Sequence, residues 1–343
     1  KSWPQGDQEL WRLANKPQSI FEDEGGAFAG LSQLSISKYA KGWGRWLGFL
    51  ADHEPDALAL TPAERCTKSR LQAYIDHLRT SGNSEGTVIN RLMELSASAR
   101  AMDPAYKPQL IDRFVASLRH RVVPVHSKSH VRPANELVDL GISLMEQATD
   151  TSDHKHALGF RDGLIIAFLA LHPVRRRNLA AFELGKNLVP QGDNFVVSFG
   201  GDETKNGTPH EVVLADILIE PMREYLRLWR PVLAKRQGRW TRSIGQAVWV
   251  SANGSPMTEE GLAGRIELRT RKALGKAISP HRFRDAAATT MVMADPARIR
   301  AAAPLLGHRS LATTEKHYIQ ASGLQAQRSY LEILKGARRG EKT

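Results

Sequence analysis

Two short segments toward the carboxyl end combine side-chain types that phosphate chemistry uses. In SPHRFRDAAATT, His281 and Arg284 stand three residues apart where a helix begins, so both project from one side of that helix. Twenty-four residues after Arg284, in the segment LLGHRSLATTEKHYIQ, His308 follows a glycine, and Tyr318 lies on the next predicted helix. Together these residues could supply proton transfer, charge neutralisation and a nucleophile.

The order and spacing of these residues resemble the tyrosine recombinase (phage integrase) family, whose catalytic domain carries His-x-x-Arg, then Leu-Gly-His, then a nucleophilic tyrosine. The resemblance implies two further catalytic residues upstream. Arg175 fits the first, because it follows an apolar helix in FLALHPVRRRNLAAFEL. Lys205 fits the second, in the hairpin segment DETKNGTPHEVVL. The resemblance covers residues 135–335 and extends more weakly to the helical residues 31–120.

The reaction of that family suits these side chains. A phosphodiester attacked by a side chain gains negative charge as the new bond forms. The guanidinium groups of Arg175 and Arg284 match phosphate oxygens in pairs and stay protonated, so they can neutralise that charge. The sequence offers no acidic cluster that would hold Mg²⁺, and we expect the reaction to need no metal or other cofactor.

Proton transfers complete the predicted site. A tyrosine has a solution pKa of about 10, so Tyr318 must lose its proton as it attacks. His281 is placed for proton transfer and His308 for a hydrogen bond to the phosphate. Lys205, on its hairpin, can protonate the leaving 5′ oxygen.

Several neighbouring residues of the same types have simpler interpretations. Arg176 and Arg177 continue a charge run that is typical of a solvated helix face. His172 is expected to pack or cap beside Arg175, and His317 to be exposed. Tyr330 is the rival nucleophile, but it lies far beyond the Gly-His turn and is expected to pack or to face solvent.

Three features depart from the family pattern. Pro173 stands where glycine is usual, and Asn178 replaces the common glutamate three residues after the first arginine. His308 and Tyr318 are ten residues apart, about one more than the commonest spacing. These departures affect the fine geometry of the site rather than the class of reaction.

Composition agrees with an intracellular protein that binds a polyanion. The chain has 343 residues, 41% hydrophobic and 24% charged, which suits two folded domains. It carries 48 Lys and Arg against 36 Asp and Glu, a formal net charge of +12. Cys66 is the single cysteine, and no apolar stretch is long enough for a membrane span or a secretory signal. We expect a cytoplasmic, nucleoid-associated protein, most simply of bacterial origin.

Apolar periodicity divides the chain into parts of different class. We predict an N-terminal arm at 1–30, a helical core DNA-binding domain at 31–121, a basic linker at 122–133 and a catalytic domain with a C-terminal helix at 134–343. Helices are predicted at 35–53, 68–80, 84–102, 108–120, 134–147, 156–171 and 217–235, and short strands at 194–199, 211–214 and 247–251. The fold class is a mainly α bundle followed by an α+β, mostly helical domain with a small antiparallel sheet.

Basic residues outside the predicted catalytic site are candidates for contacts with double-stranded DNA. They lie on the first long helix, on a later helix of the same domain and in the linker: Lys38, Lys41, Arg45, Arg91, Lys128 and Arg132.

The resemblance implies a site-specific recombinase or integrase that acts through a 3′-phosphotyrosine intermediate on a mobile element. It also implies a homotetramer on two DNA sites, closed by the C-terminal helix of each protomer. Two alternatives remain at this point: a type IB topoisomerase, which relaxes a single duplex, and a catalytically silent DNA-binding protein of the same fold.

Overall fold

The computed structural model describes residues 2–18, 25–121, 132–204, 207, 209–238 and 242–294. Two compact units divide the chain, Lys1–Ser127 and Lys128–Thr343. Within the described ranges the protein is mostly helical, with a three-stranded antiparallel sheet in the second unit, and this confirms the predicted fold class. No helix in those ranges combines the length and apolar character needed to cross a membrane.

The first unit is a helical bundle around buried aromatic rings. Its helices are α1 (Gln5–Ala14), α2 (Gln33–His53), α3 (Pro62–Arg65), α4 (Lys68–Thr80), α5 (Glu85–Met102) and α6 (Gln109–Arg121), with a 3₁₀ turn at Pro55–Ala59. Trp43, Trp46 and Leu50 recur at helical spacing on α2 and are fully buried, which explains why this face turns inward. The helices predicted at 68–80, 84–102 and 108–120 are confirmed to within one residue.

Helix α1 lies within residues 1–30, the segment that is predicted to form an N-terminal arm. Its anchor is polar: Arg65 Nη1 donates to both carboxylate oxygens of Asp7, at 2.9 and 2.7 Å, and Trp43 Nε1 donates to Asp7 Oδ2 at 2.7 Å. The side chains of Asp7 and Arg65 are each only 2% exposed. Breaking a buried pair of this kind leaves an uncompensated charge, so α1 is held firmly on the bundle.

The second unit surrounds one apolar helix. Its helices are α7 (Ala134–Glu146), α8 (His154–Leu171), α9 (Arg176–Ala180), α10 (Ile219–Glu224), α11 (Arg230–Ala234), α12 (Glu259–Leu274) and α13 (Pro280–Ala294), with a π turn at Tyr225–Trp229 joining α10 to α11. Residues Leu164 to Leu169 of α8 are at most 1% exposed. The prediction of a buried central helix is therefore confirmed.

Helices α7 and α8 approach each other at glycines. A Cβ placed on Gly163 would lie 2.5 Å from the carbonyl oxygen of Gly141 and 2.9 Å from Leu144 Cβ. Only a residue without a side chain fits there, because neither neighbour can move without displacing backbone. This close packing fixes the helix from which the loop after Leu171 emerges.

The sheet contains β1 (Leu188–Gln191), β2 (Asn194–Phe199) and β3 (His210–Val213), in the order β1-β2-β3. Leu188 pairs with Val197, and Phe199 pairs with His210. The predicted strand at 194–199 is confirmed as β2, β3 begins one residue earlier than the predicted 211–214, and β1 was not predicted. Pro190 obscures β1, and an edge strand tolerates it because the missing N–H is not needed for pairing.

The predicted strand at 247–251 is wrong. Only single bridges form there, between Glu183 and Ala247 and between Val250 and Pro256. Other loops and one side chain share the backbone groups: the Val248 N–H donates to the Phe182 carbonyl at 2.9 Å, and the Tyr225 hydroxyl donates to the Val248 carbonyl at 3.0 Å and accepts from the Val250 N–H at 3.3 Å. The β-branched composition therefore reflects complete burial and not pairing in a sheet.

Candidate functional site

Arg175 lies directly after the buried helix α8. The chain leaves α8 at Leu171 and passes through the buried residues Pro173 and Val174, and Arg175 is the residue that precedes α9. Its backbone is extended, with φ −71° and ψ 145°. Burial lowers the pKa of its guanidinium. The fold thus holds Arg175 at a fixed point on the carboxyl end of a rigid helix.

Arg284 reaches the same point from α13. Its side chain is buried, the whole residue being 8% exposed, and Nη1 donates a hydrogen bond to the Pro173 carbonyl, two residues before Arg175. Burial lowers the pKa of Arg284 to about 10, and the positive charge of Arg175 lowers it further while Asp285 opposes the shift. Two arginines 109 positions apart in the sequence are therefore brought together with like charges close to each other.

His281 lies one turn before Arg284, in the first turn of α13, and is exposed. The helix start predicted at this motif is confirmed, since α13 begins at Pro280. Arg284 is buried and His281 is open to solvent, so the two side chains of the His-x-x-Arg motif differ in environment although they are close on the helix. An exposed imidazole next to a buried guanidinium can exchange protons with solvent.

Two histidines lie beside the arginine pair. His172 Nε2 accepts a hydrogen bond from the Ala215 N–H at 3.1 Å, and its ring centroid lies 5.2 Å from that of Phe168. Burial lowers the pKa of His172 to about 4, with a smaller contribution from the charge of His210. These contacts fit the packing role expected for His172.

His210 was not singled out from the sequence. It is the first residue of β3, it is half-buried, and its pKa is lowered by burial and then by the charges of Arg284 and Arg175. The available signal was the alternation in HEVVL, which places His210 on the same strand face as Val212. Because the strand was predicted to begin at Glu211, His210 was left outside it.

Three predicted catalytic residues, Lys205, His308 and Tyr318, lie outside the described residues, as do Tyr330 and Lys128. Arg132 is described and forms a surface ion pair with Glu136, Nη1 to Oε2 at 3.1 Å. Across the described ranges, no group of three or more His, Cys, Asp or Glu side chains is arranged to hold a metal ion.

A second basic cluster lies between α2 and α5 of the first unit. The carboxylate of Glu94, whose side chain is 2% exposed, lies 2.6 Å from Arg91 Nη1, 3.6 Å from Arg45 Nη1 and 3.9 Å from Lys38 Nζ. Three of the predicted DNA contacts thus surround one buried acid. Lys41 is exposed on the same helix, α2.

A sequence profile described as the phage integrase family matches residues 143–323, just over half of the chain. The chain belongs to the phage integrase family. Tyrosine recombinase XerD of Staphylococcus aureus (strain Mu50) is 23% identical over 274 residues, covering 76% of this chain and 88% of the relative. Tyrosine recombinase XerD of Staphylococcus saprophyticus is 27% identical over 176 residues, covering 51% and 55%.

Two solved structures share the fold. The XerH site-specific recombinase bound to palindromic difH substrate superposes with a TM-score of 0.58 at 14% identity, covering 95% of each chain. The Tn1549 transposon integrase, solved with circular intermediate DNA, gives a TM-score of 0.55 at 14% identity, covering 91% of this chain and 94% of the other. This phage integrase family member is a tyrosine site-specific recombinase, an enzyme of DNA strand breakage and rejoining.

Proposed function

We propose that the enzyme cleaves and rejoins DNA through Tyr318 during integration, excision or resolution of a mobile element. The phenolic oxygen of Tyr318 attacks the scissile phosphorus, the bond from phosphorus to O5′ breaks, and a 3′-phosphotyrosine and a 5′ hydroxyl result. The 5′ hydroxyl of a second duplex then attacks the phosphotyrosine and releases the tyrosine. The covalent intermediate conserves the bond energy, so ATP is not consumed.

The observation that carries this proposal is the pairing of Arg175 with Arg284. Burial lowers the pKa of both guanidinium groups, and for Arg284 the charge of Arg175 adds to the effect, so the fold holds these two charges at a cost in free energy. An anion between them offsets that cost, most of all a phosphate that gains charge in the transition state. Arginine suits this role because its fork binds two phosphate oxygens at once.

The remaining roles follow the matched motif positions. His281, exposed one turn before Arg284, accepts the proton that the Tyr318 hydroxyl loses, and His308 hydrogen-bonds the phosphate. Lys205 donates the proton that the leaving O5′ requires. These residues give the enzyme one group for each bond that forms or breaks, without a metal ion or other cofactor.

The first unit supplies contacts with the DNA backbone. Lys38, Arg45 and Arg91 surround Glu94, which neutralises one of their three charges and leaves a net surplus of two. Arg45 and Lys38 lie beyond hydrogen-bond distance of that carboxylate, so their N–H groups can bind phosphate oxygens. Lys41 on α2 and the linker residues Lys128 and Arg132 are the other basic residues that we propose contact the DNA.

A suicide substrate tests the reaction. Duplexes nicked beside candidate sites in the DNA that flanks the gene should trap a covalent adduct, and peptide mapping should locate it on Tyr318. Tyr318→Phe keeps the ring and should abolish the adduct while DNA binding persists; Tyr330→Phe is the matched control and should cleave normally. An adduct on Tyr330, or one that survives in Tyr318→Phe, refutes the assignment.

Conservative changes test the arginine pair. Arg175→Lys and Arg284→Lys keep the charge but lose the fork, so cleavage should fall by a factor of about 10² to 10³ with little loss of affinity. Arg176→Lys, on the exposed neighbour, is the control and should retain activity. A cleavage rate near that of the wild type in either test variant removes that arginine from the site.

Assembly of four protomers on two duplexes depends on the C-terminal tail. Truncation after Ser322 should leave binding to a single site intact and abolish synapsis and strand exchange. A truncated protein that still recombines refutes this part of the proposal. Relaxation of a plasmid without any strand exchange between two sites would assign the chain to the topoisomerase class instead.

A further inference from the structure

His210 faces the interior of the second unit. Along β3 the odd positions, Glu211 and Val213, are exposed, whereas His210 and Val212 are half-buried. The cross-strand partner of His210 is Phe199, which is 2% exposed. Because directly paired residues lie on the same face of a sheet, the imidazole shares the buried face with the Phe199 ring.

Both ends of β3 are tied to the segment that carries Arg175. At the start of the strand, Phe199 beside His210 stacks on Phe182, which follows α9, with ring centroids 5.8 Å apart. Just beyond the end, the Ala215 N–H donates to His172 Nε2. His210 is therefore held in place against the turn between α8 and α9, and it interacts electrostatically with both Arg284 and Arg175.

We propose that His210 is a third phosphate-binding side chain of this site, which donates an imidazole N–H to a non-bridging oxygen of the scissile phosphate between the two arginines. The inference rests on the proposed function, because it places the scissile phosphate at Arg175 and Arg284. A neutral imidazole always carries one N–H donor, so it can bind an anion without adding a third positive charge to a site that already holds two.

The charged groups around His210 determine how it responds to an anion. The turn after α8 contributes His172 and Arg175, and α13 contributes Arg284 with Asp285 beside it, whereas Glu211 of β3 is exposed on the opposite face. Burial and then the charges of Arg284 and Arg175 lower the pKa of His210. An anion bound to the two arginines opposes the effect of their charges, so anion binding raises that pKa.

The first test needs no DNA site. The ring resonances of His210 are followed by NMR against pH, with and without inorganic phosphate at constant ionic strength. Phosphate should move the titration midpoint of His210 to higher pH. His154, which bonds the Ala252 carbonyl at 3.0 Å at the other end of α8, is the internal control and should not respond. A His210 midpoint that phosphate leaves unchanged overturns the proposal.

The second test uses the suicide substrate that the wild-type enzyme cleaves. His210→Ala should slow cleavage by about tenfold to a hundredfold, the effect of losing one hydrogen bond to a charged group, while affinity for the duplex changes little. His210→Gln keeps an N–H donor and should recover most of the rate. His154→Ala should cleave as the wild type does.

The two tests separate this inference from the proposed function. If the wild type forms the adduct on Tyr318 and His210→Ala forms it equally fast, the role of His210 is refuted and the reaction stands. If the wild type forms no adduct on any candidate site, the proposed reaction fails, and the phosphate titration still decides whether His210 binds an anion. Should His210→Ala fail to fold, the titration of the wild-type protein and the His210→Gln rate provide the decision.

Discussion

Removing the buried carboxylate of Asp162 should destabilise the second unit severely. Asp162 Oδ1 accepts from Arg161 Nη2 at 2.5 Å, and Oδ2 accepts from Arg265 Nη2 at 2.5 Å and Arg269 Nε at 2.8 Å. One acid on α8 thus holds one arginine of its own helix and two of α12. The asparagine variant cannot replace it, because either orientation of the amide points its NH₂ group at a guanidinium.

The size of the loss in stability depends on which arginine is left buried without its carboxylate partner. Arg265 and Arg269 are 32% and 21% exposed, so both can turn toward water once the acid is lost. Arg161 is 1% exposed, and among the described residues its remaining hydrogen-bond acceptor is the Val250 carbonyl, at 2.6 Å. Breaking a buried ion pair from one side costs about 3–5 kcal/mol, and Asp162→Ala and Asp162→Asn should both fall in that range.

Hydrogen exchange is the suitable assay, because the chain has two compact units and need not unfold in a single transition. Peptides from α8 report on the second unit alone. A loss of 3–5 kcal/mol should accelerate the slowest α8 amides by a factor of about 10² to several thousand. Glu220→Ala, which breaks the exposed pair with Arg223 in the same unit, should leave them nearly unchanged. Acceleration of less than about tenfold in both Asp162 variants would refute the reasoning.

Three further predictions concern pH, packing and salt. Burial lowers the pKa of His172 in the folded protein to about 4, below its ordinary 6.5, so the unfolded chain takes up the proton first as pH falls. The free energy of unfolding should therefore fall by about 3 kcal/mol between pH 6.5 and pH 4. In acid unfolding curves, His172→Phe should remove most of that loss. Gly163→Ala overpacks the contact between α7 and α8 and should lower the free energy of urea unfolding by about 1–3 kcal/mol. Gly264→Ala on α12 has open space around the new Cβ and should raise that free energy by up to about 1 kcal/mol. Equal effects of the two variants would contradict the packing argument. Arg45→Gln and Lys41→Gln should each flatten the slope of log affinity for a duplex against log salt concentration by about one unit, and Arg79→Gln on α4 should leave the slope unchanged. Unchanged slopes in Arg45→Gln and Lys41→Gln would show that neither residue contacts a phosphate.

Most helices could be predicted because the residues that they bury are apolar and recur at helical spacing in the sequence. Trp43, Trp46 and Leu50 recur every three or four residues, and the core of α8 is apolar on all sides, which is typical of a buried helix. Helix α1 was missed although Leu10 and Trp11 pack against the bundle and Ala14 is buried; its buried polar anchor is the ion pair between Asp7 and Arg65. A polar contact between residues 58 positions apart has no periodic signature.

The strands and the site likewise include some features that the sequence predicts and others that depend on the fold. Residues 247–251 have strand composition, yet their backbone groups bond to the side chains of Tyr225 and Arg161 and through isolated bridges rather than to a neighbouring strand. Motif order alone placed Arg175 and Arg284 in one site, but it could not show that Arg284 is buried and bonded to the Pro173 carbonyl. His210 joins that site only through the register of β2 and β3, which depends on the fold and not on any local pattern.

Two arginine clusters in the described part of the second unit differ in a way that bears on where an anion binds. At Asp162, burial alone would raise the pKa of the carboxyl, yet Arg161 and Arg265 outweigh burial and the pKa is lowered, so the protein itself supplies a strongly held anion. At the carboxyl end of the same helix, the pKa shifts fall on basic groups instead: those of Arg175, Arg284 and His210 are all lowered. Charges held at a cost in free energy are stabilised by a ligand of opposite sign. The first cluster contains its own anion, and this contrast supports the proposal that Arg175 and Arg284 bind a phosphate of the DNA.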